Sequence, residues 1–292
     1  METRSLLYCF GVFWRAVIVG IGYLATLIVA GGIMSAAGMT LPEAGNVRTI
    51  LPLSLLAGTL TGLVLGPIAR KMPVSRLRHI IVWASVLFFN GAALAIEASF
   101  FIEKMRSAAP ALVIQHLATA VVTAGLIALL FAPSGKLQPA VSFPKRAWRR
   151  WLGRFIISSL SYLVFYCLFG TLNYAFVTRP YYESHVAGLT VPGAQVVFLV
   201  ELARAPLMVL SIVPLILTMR ITKGRLAGIC GIILFMVGGA IPLAMATELP
   251  VFLRVASAWE IFFQNFLTGA VAALLLGPGL QNASSAEYSQ VA

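Results

Sequence analysis

Aspartate is missing from the chain altogether, and the nine acidic residues among 292 are all glutamates. Metal sites, nucleophiles and proton relays built on aspartate are therefore excluded. Charge of either sign is scarce, at 10% of residues. A water-soluble domain of this length needs far more to coat its surface, so the solvent implied is lipid. The three cysteines, Cys9, Cys167 and Cys230, are odd in number and form no CxxC. They read as inert packing residues, not as disulfides or metal ligands. The three histidines offer no haem pair, because His79 and His116 are expected near opposite faces of a bilayer. No apolar run holds a lysine for a Schiff base, and HExxH, GxSxG and P-loop patterns are absent. The sequence thus implies no cofactor, no metal and no assigned catalytic residue.

What the chain has in abundance is long apolar runs. Hydrophobic residues make up 60% of it, and mean hydropathy is +0.95. A hydrocarbon core about 30 Å thick takes about 20 apolar residues as helix. That window predicts eight spans, at 14–34, 50–69, 79–100, 111–131, 155–176, 197–219, 226–246 and 259–276. The expected fold class is all-α, a polytopic integral membrane protein of eight transmembrane helices. The first span reads as an uncleaved anchor.

Basic residues set the expected orientation. With a cytoplasmic N-terminus, fifteen lysines and arginines fall on inner segments and five on outer ones, with Arg204 inside a span. The positive-inside rule then places both termini in the cytoplasm, in a plasma (inner) membrane. The net charge of +12 follows from that bias and does not imply a nucleic-acid partner. The loop Phe143–Arg154 mixes Trp148 and Trp151 with five cations and suits anionic lipid headgroups. The tail 281–292 is polar and expected to be disordered.

The two halves of the sequence resemble each other. Arg15, Tyr23, Leu24 and Gly31 match Arg154, Tyr162, Leu163 and Gly170 at an offset of 139. Arg76-Leu77 matches Arg225-Leu226, and Gln115, His116 and Thr119 align with Gln264, Asn265 and Thr268, at an offset of 149. This predicts two parallel four-helix repeats, 1–140 and 141–280, related by an axis along the membrane normal. The change of offset places extra residues in the outer loop after span five, around Thr178–His185. That loop is expected above the outer end of span six, as a lid, a docking surface or an ordinary variable loop.

Span six holds the pair Glu201 and Arg204, followed by Pro206. Residues three apart share a helix face, so the two can pair. A charge left unpaired in hydrocarbon costs at least about 2.5–3.5 kcal/mol. Pro206 frees the carbonyl of Leu202. Most strong polar residues of the other spans (Asn90, Glu97, Gln115, His116, Asn173, Glu260, Gln264 and Asn265) fall in the same outer half. The candidate substrate-binding residues are Glu201, Arg204, His116, Gln115, Gln264 and Asn265, converging on a pocket open to the outside. Polarity near an interface, or hydrogen bonds between helices, accounts for the same pattern without a ligand.

The leading expectation is a permease or transporter-like component, with Arg204 taking an anionic group and Glu201 orienting it or carrying a proton. The alternative is a non-catalytic subunit or assembly factor of a larger membrane complex, or a homo-oligomer. Its contacts would use the ladder Gly58, Gly62 and Gly66 and lipid-facing surfaces. The third is a membrane enzyme on a lipid-linked substrate, with Glu97, His116 or Glu260 as acid or base.

Overall fold

The computed structural model describes residues 2–41, 47–133 and 147–277, with side chains from residue 8 on. The cations Lys136, Lys145 and Arg146 and the polar tail lie outside the described residues.

Every span expected from hydropathy is a helix. α1 (Glu2–Ala36), α2 (Val47–Ala69), α3 (Arg76–Phe101) and α4 (Ala109–Phe131) form the first half. α5 (Trp148–Asn173) runs through a π-helical turn, Tyr174–Thr178, into the short α6 (Arg179–Glu183). α7 (Ala194–Thr218) follows. α8 (Lys223–Phe235) continues through a second π-helical turn, Met236–Ala240, into α9 (Ile241–Met245), and α10 (Val251–Leu276) closes the described chain. Eight helices are thus long and apolar enough to cross a membrane, the architecture of a multi-pass membrane protein. Among the described residues there is no strand, only one antiparallel bridge between Ile102 and Leu189.

Most spans outrun their expected limits by a few residues and α1 by more, and two of the extensions have local reasons. The fifth extends from Trp148 to Glu183 because the π turn carries the helix onward into Pro180, where the fixed φ of proline suits the start of a helix. The eighth starts at Val251, since a hydropathy window discounts Arg254 although the helix does not. The entry to α3 is capped by Ser75, whose Oγ accepts from the Arg78 backbone N–H at 3.4 Å.

The molecule is inverted relative to a soluble domain. Phe10, Ile33, Leu129, Phe176 and Trp259 point outwards, while Glu201, Arg204, Asn90, Gln264 and Asn265 are buried. Between lipid-solvated helices there is no hydrophobic drive to associate, so close backbone packing must hold the bundle together. The glycines supply it. A Cβ added at Gly62 would stand 2.9 Å from the Cα of Ala16, and one at Gly58 2.9 Å from the Cα of Gly20. At Gly66 it would meet the Phe131 ring of α4. The Gly58–Gly66 ladder thus packs against α1 and α4 of the same chain. Gly269 brings α10 against the Cys230 carbonyl of α8 in the same way.

One end of the bundle gathers Arg70, Lys71 and Arg154, and the Arg154 Nη1 donates to the Leu275 carbonyl at 3.0 Å. This is the basic end. The opposite end is covered by the segment after α5. Its Thr190 N–H donates to the Phe101 carbonyl at 2.9 Å, beside the Ile102–Leu189 bridge. His185 and Ala187 take left-handed φ values of 51° and 55° to make the tight reversal. Such backbone costs roughly 1–3 kcal/mol at a non-glycine residue, and docking on α3 holds it in place.

Candidate functional site

Four spans meet beneath this cover, and the polar residues they carry form one cluster. Its centre is Arg204 on α7, 5% exposed, beside a fully buried Glu201. The pair forms as the spacing predicts. Arg204 Nη1 donates to Glu201 Oε1 at 2.8 Å and Oε2 at 2.6 Å. The Tyr162 hydroxyl of α5 donates to Glu201 Oε2 at 2.9 Å, and its ring lies 5.7 Å from the guanidinium. The other terminal nitrogen, Arg204 Nη2, lies 2.7 Å from Glu97 Oε2 on α3. Only the Nε–H of Arg204 lacks a partner among the described residues. The guanidinium is thus held by two carboxylates on different helices, the pairing that burying a cation demands.

A third carboxylate completes the cluster. Glu260 of α10 accepts from Asn173 Nδ2 at 2.6 Å and from Gln264 Nε2 at 2.7 Å. Both of its oxygens are engaged by amide N–H donors, and no cation is among these partners. Three glutamates from three helices thus surround a single arginine.

Two adjoining cavities expose this cluster. The first, about 180 Å³, is lined by Glu97, Arg204, Glu260 and Gln264, with Tyr166 and Tyr182 at its side. The second, about 490 Å³, lies between α5 and α7 and reaches Glu201 and Glu260. Tyr166, Tyr182, Phe101 and Glu260 border both. Tyr182, Leu189 and Val191 come from the covering segment, so the loop expected above span six does roof the cluster.

The six candidate residues separate into two groups. Glu201, Arg204, Gln264 and Asn265 come together, although Asn265 spends its Nδ2 on the Leu234 carbonyl of α8 at 3.1 Å. Gln115 and His116 do not join them. Gln115 donates to the Leu27 carbonyl of α1 at 3.3 Å, and His116 packs against Gly91 of α3. Neither lines either cavity. They sit on another side of the bundle, because position along a helix follows from sequence while azimuth follows from packing.

Sequence reasoning left out of the site Glu97, Tyr162, Tyr166, Asn173 and Tyr182. Glu97 had been set aside as an acid or base, yet it holds Arg204. Its signal was depth, since a carboxylate level with a buried arginine is its natural partner. Tyr162 was marked only by its match to Tyr23 and Tyr182 only by its place in the 178–185 loop, while Tyr166 is indistinguishable from the many aromatics of an apolar helix.

The eight long apolar helices fit a multi-pass membrane protein, and they enclose a buried, roofed, carboxylate-rich cluster near one end of the bundle. No family model matches the chain, no curated protein matches it, and no solved structure matches its fold.

Proposed function

We propose that the protein is a permease-type component that binds a cationic solute at the Glu97–Arg204–Glu260 cavity. One observation carries this reading, the surplus of carboxylate over guanidinium in a roofed cavity. Each charge held in a bilayer must be neutralised or solvated. Arg204 neutralises Glu201 and shares Glu97, while Glu260 is left to a ligand. This reverses the role first expected for Arg204. An anion would have to displace two carboxylates to reach it, whereas a protonated amine meets Glu97 and Glu260 directly. Ordinary ligand pockets are about 300–1,000 Å³, and the two cavities together fall in that range.

Orientation follows from the basic residues, which put the roofed end outside. The basic half of the bundle is closed by Trp83, Ile212, Leu215, Ile216, Leu226 and Ile233. Passage through it requires movement of α7, broken by Pro206 and Pro214, and of α8–α9 at its π turn beside Gly238. Such breaks are where helices bend.

The two halves are read as a parallel repeat, supported by matching neighbours. α1 packs on α2 as α5 does on α7, and α3 on α4 as α8 does on α10. Across the halves, α3 meets α7 as the α8–α9 span meets α2. The repeat explains why Gln115 and Gln264 lie apart, since a two-fold axis sends them to opposite clefts. Only one cleft is charged. At the offset of 149, Glu201 and Arg204 correspond to Pro52 and Leu55, Glu260 to Ala111 and Glu97 to Ala246.

The test is thermal unfolding of the protein in lipid nanodiscs with propylamine, propionate and propanol. Stabilisation by the amine alone, lost in Glu260→Gln, is expected. Stabilisation by propionate alone, or by none of the three, overturns the reading. Of the three groups named for the enzyme alternative, His116 sits outside both cavities, while Glu97 and Glu260 line the first and serve here as ligands for a cation.

A further inference from the structure

The larger cavity is not a closed chamber. Its walls are Leu163, Cys167 and Thr171 on α5 facing Val197 and Phe198 on α7, and Cys167, Thr171 and Phe198 lie on the outer surface of the bundle. On that surface Leu168, Leu172 and Leu199 flank the opening, which places it against lipid rather than water. The far wall is different in kind, ending at the carboxylates Glu201 and Glu260 and at the phenol rings of Tyr166 and Tyr182. An apolar cleft thus leads sideways from the membrane to the charged cavity.

We infer that the ligand is an amphiphile with an amine headgroup. It enters laterally from the outer leaflet, seating its headgroup at Glu97 and Glu260 and its alkyl chain in the α5–α7 cleft. This rests on the cationic-solute reading of the same site and adds the substrate class and the route. Charge complementarity selects the occupant. A lipid tail alone would fill the cleft and leave Glu260 without a countercharge, and an anionic headgroup would meet three carboxylates. The chain gains little by leaving lipid for an equally apolar cleft, so affinity comes from the headgroup. The chain supplies access, since it concentrates the amine in the leaflet from which the cleft opens.

The experiment uses the full chain in nanodiscs and a dodecylamine carrying a terminal diazirine. After irradiation, labelled peptides should map to 163–174 and 191–198. Competition by unlabelled dodecylamine should cut that labelling about tenfold, while equal dodecyl sulfate leaves it unchanged. Thr171→Trp, which fills the cleft from the lipid side, should abolish the labelling and preserve the stabilisation by propylamine. Uniform labelling of all lipid-facing helices, or equal displacement by dodecyl sulfate, overturns the inference. Stabilisation by propylamine together with such uniform labelling leaves the cationic site standing and removes the amphiphile. Failure of both amines removes both.

Discussion

Arg204 is the residue on which three helices depend. It binds Glu201 on its own turn of α7 and Glu97 on α3, and Tyr162 of α5 completes the shell of Glu201. Removing one partner from a buried pair leaves a bare charge, at a cost of about 3–5 kcal/mol. Glu201→Gln and Arg204→Gln should each lower stability by about that amount, whereas the double variant should lose less than the sum of the two. A double-mutant cycle on chemical unfolding in micelles reads the coupling directly. Additive losses would mean that the pair is not an interacting unit. Tyr162→Phe removes a single hydrogen bond to a charged group and should cost about 1.5–3 kcal/mol in the same assay, leaving the apolar contacts of the ring in place.

At the scale of the element, helix contact is governed by the absence of side chains. Gly269 and Gly228 both lie within apolar helices, but only the first faces another backbone. A Cβ on Gly269 would stand 2.6 Å from the carbonyl carbon and oxygen of Cys230, while nothing lies within 4 Å of one on Gly228. Gly269→Ala should therefore push α8 and α10 apart and lower the unfolding temperature. Gly228→Ala should be neutral or gain up to about 1 kcal/mol from helix propensity. Equal effects at the two positions would deny the close contact. The covering segment belongs at this scale too. It is tied to the bundle by the Thr190–Phe101 hydrogen bond and the Leu189 bridge, and it holds two left-handed residues that an untethered loop would relax.

At the scale of the whole molecule, the halves meet through α3 against α7 and through α2 against α9. Arg204–Glu97 is an ion pair across that seam. Residues 1–140 and 141–292, expressed as two chains, should copurify, and Arg204→Gln should weaken the association. Independent purification of either half as a folded unit, with no binding to the other, would sink the paired arrangement. Orientation has its own check in a cysteine-free background. Ser184→Cys, on the covering segment, should react with an impermeant maleimide added to intact cells. Lys71→Cys, at the basic end, should react only after permeabilisation. The opposite pattern would invert the topology.

Much of this was legible along the chain. Eight apolar runs gave eight helices, and the i,i+3 spacing gave the Glu201–Arg204 pair, because span length and helix-face spacing are local properties of a sequence. The position of each polar residue along its helix was legible for the same reason, as it follows from counting along a helix. Which face of each span turns inwards was not. Lipid-facing and core-facing leucines look alike in a chain this apolar, so no amphipathic stripe fixes the azimuth. That is why Gln115 and His116 were grouped with Glu201 although they tie α4 to α1 and α3. It is also why Glu97, over a hundred residues from Glu201, was missed as a partner of Arg204. The sequence by itself determined the apolar character of the chain, the number of long apolar helices and the Glu201–Arg204 pair. The tertiary structure alone decided which charges share a cavity and that a cleft opens between α5 and α7. Convergence depends on glycine contacts and ion pairs between distant segments, and these exist only once the helices have packed.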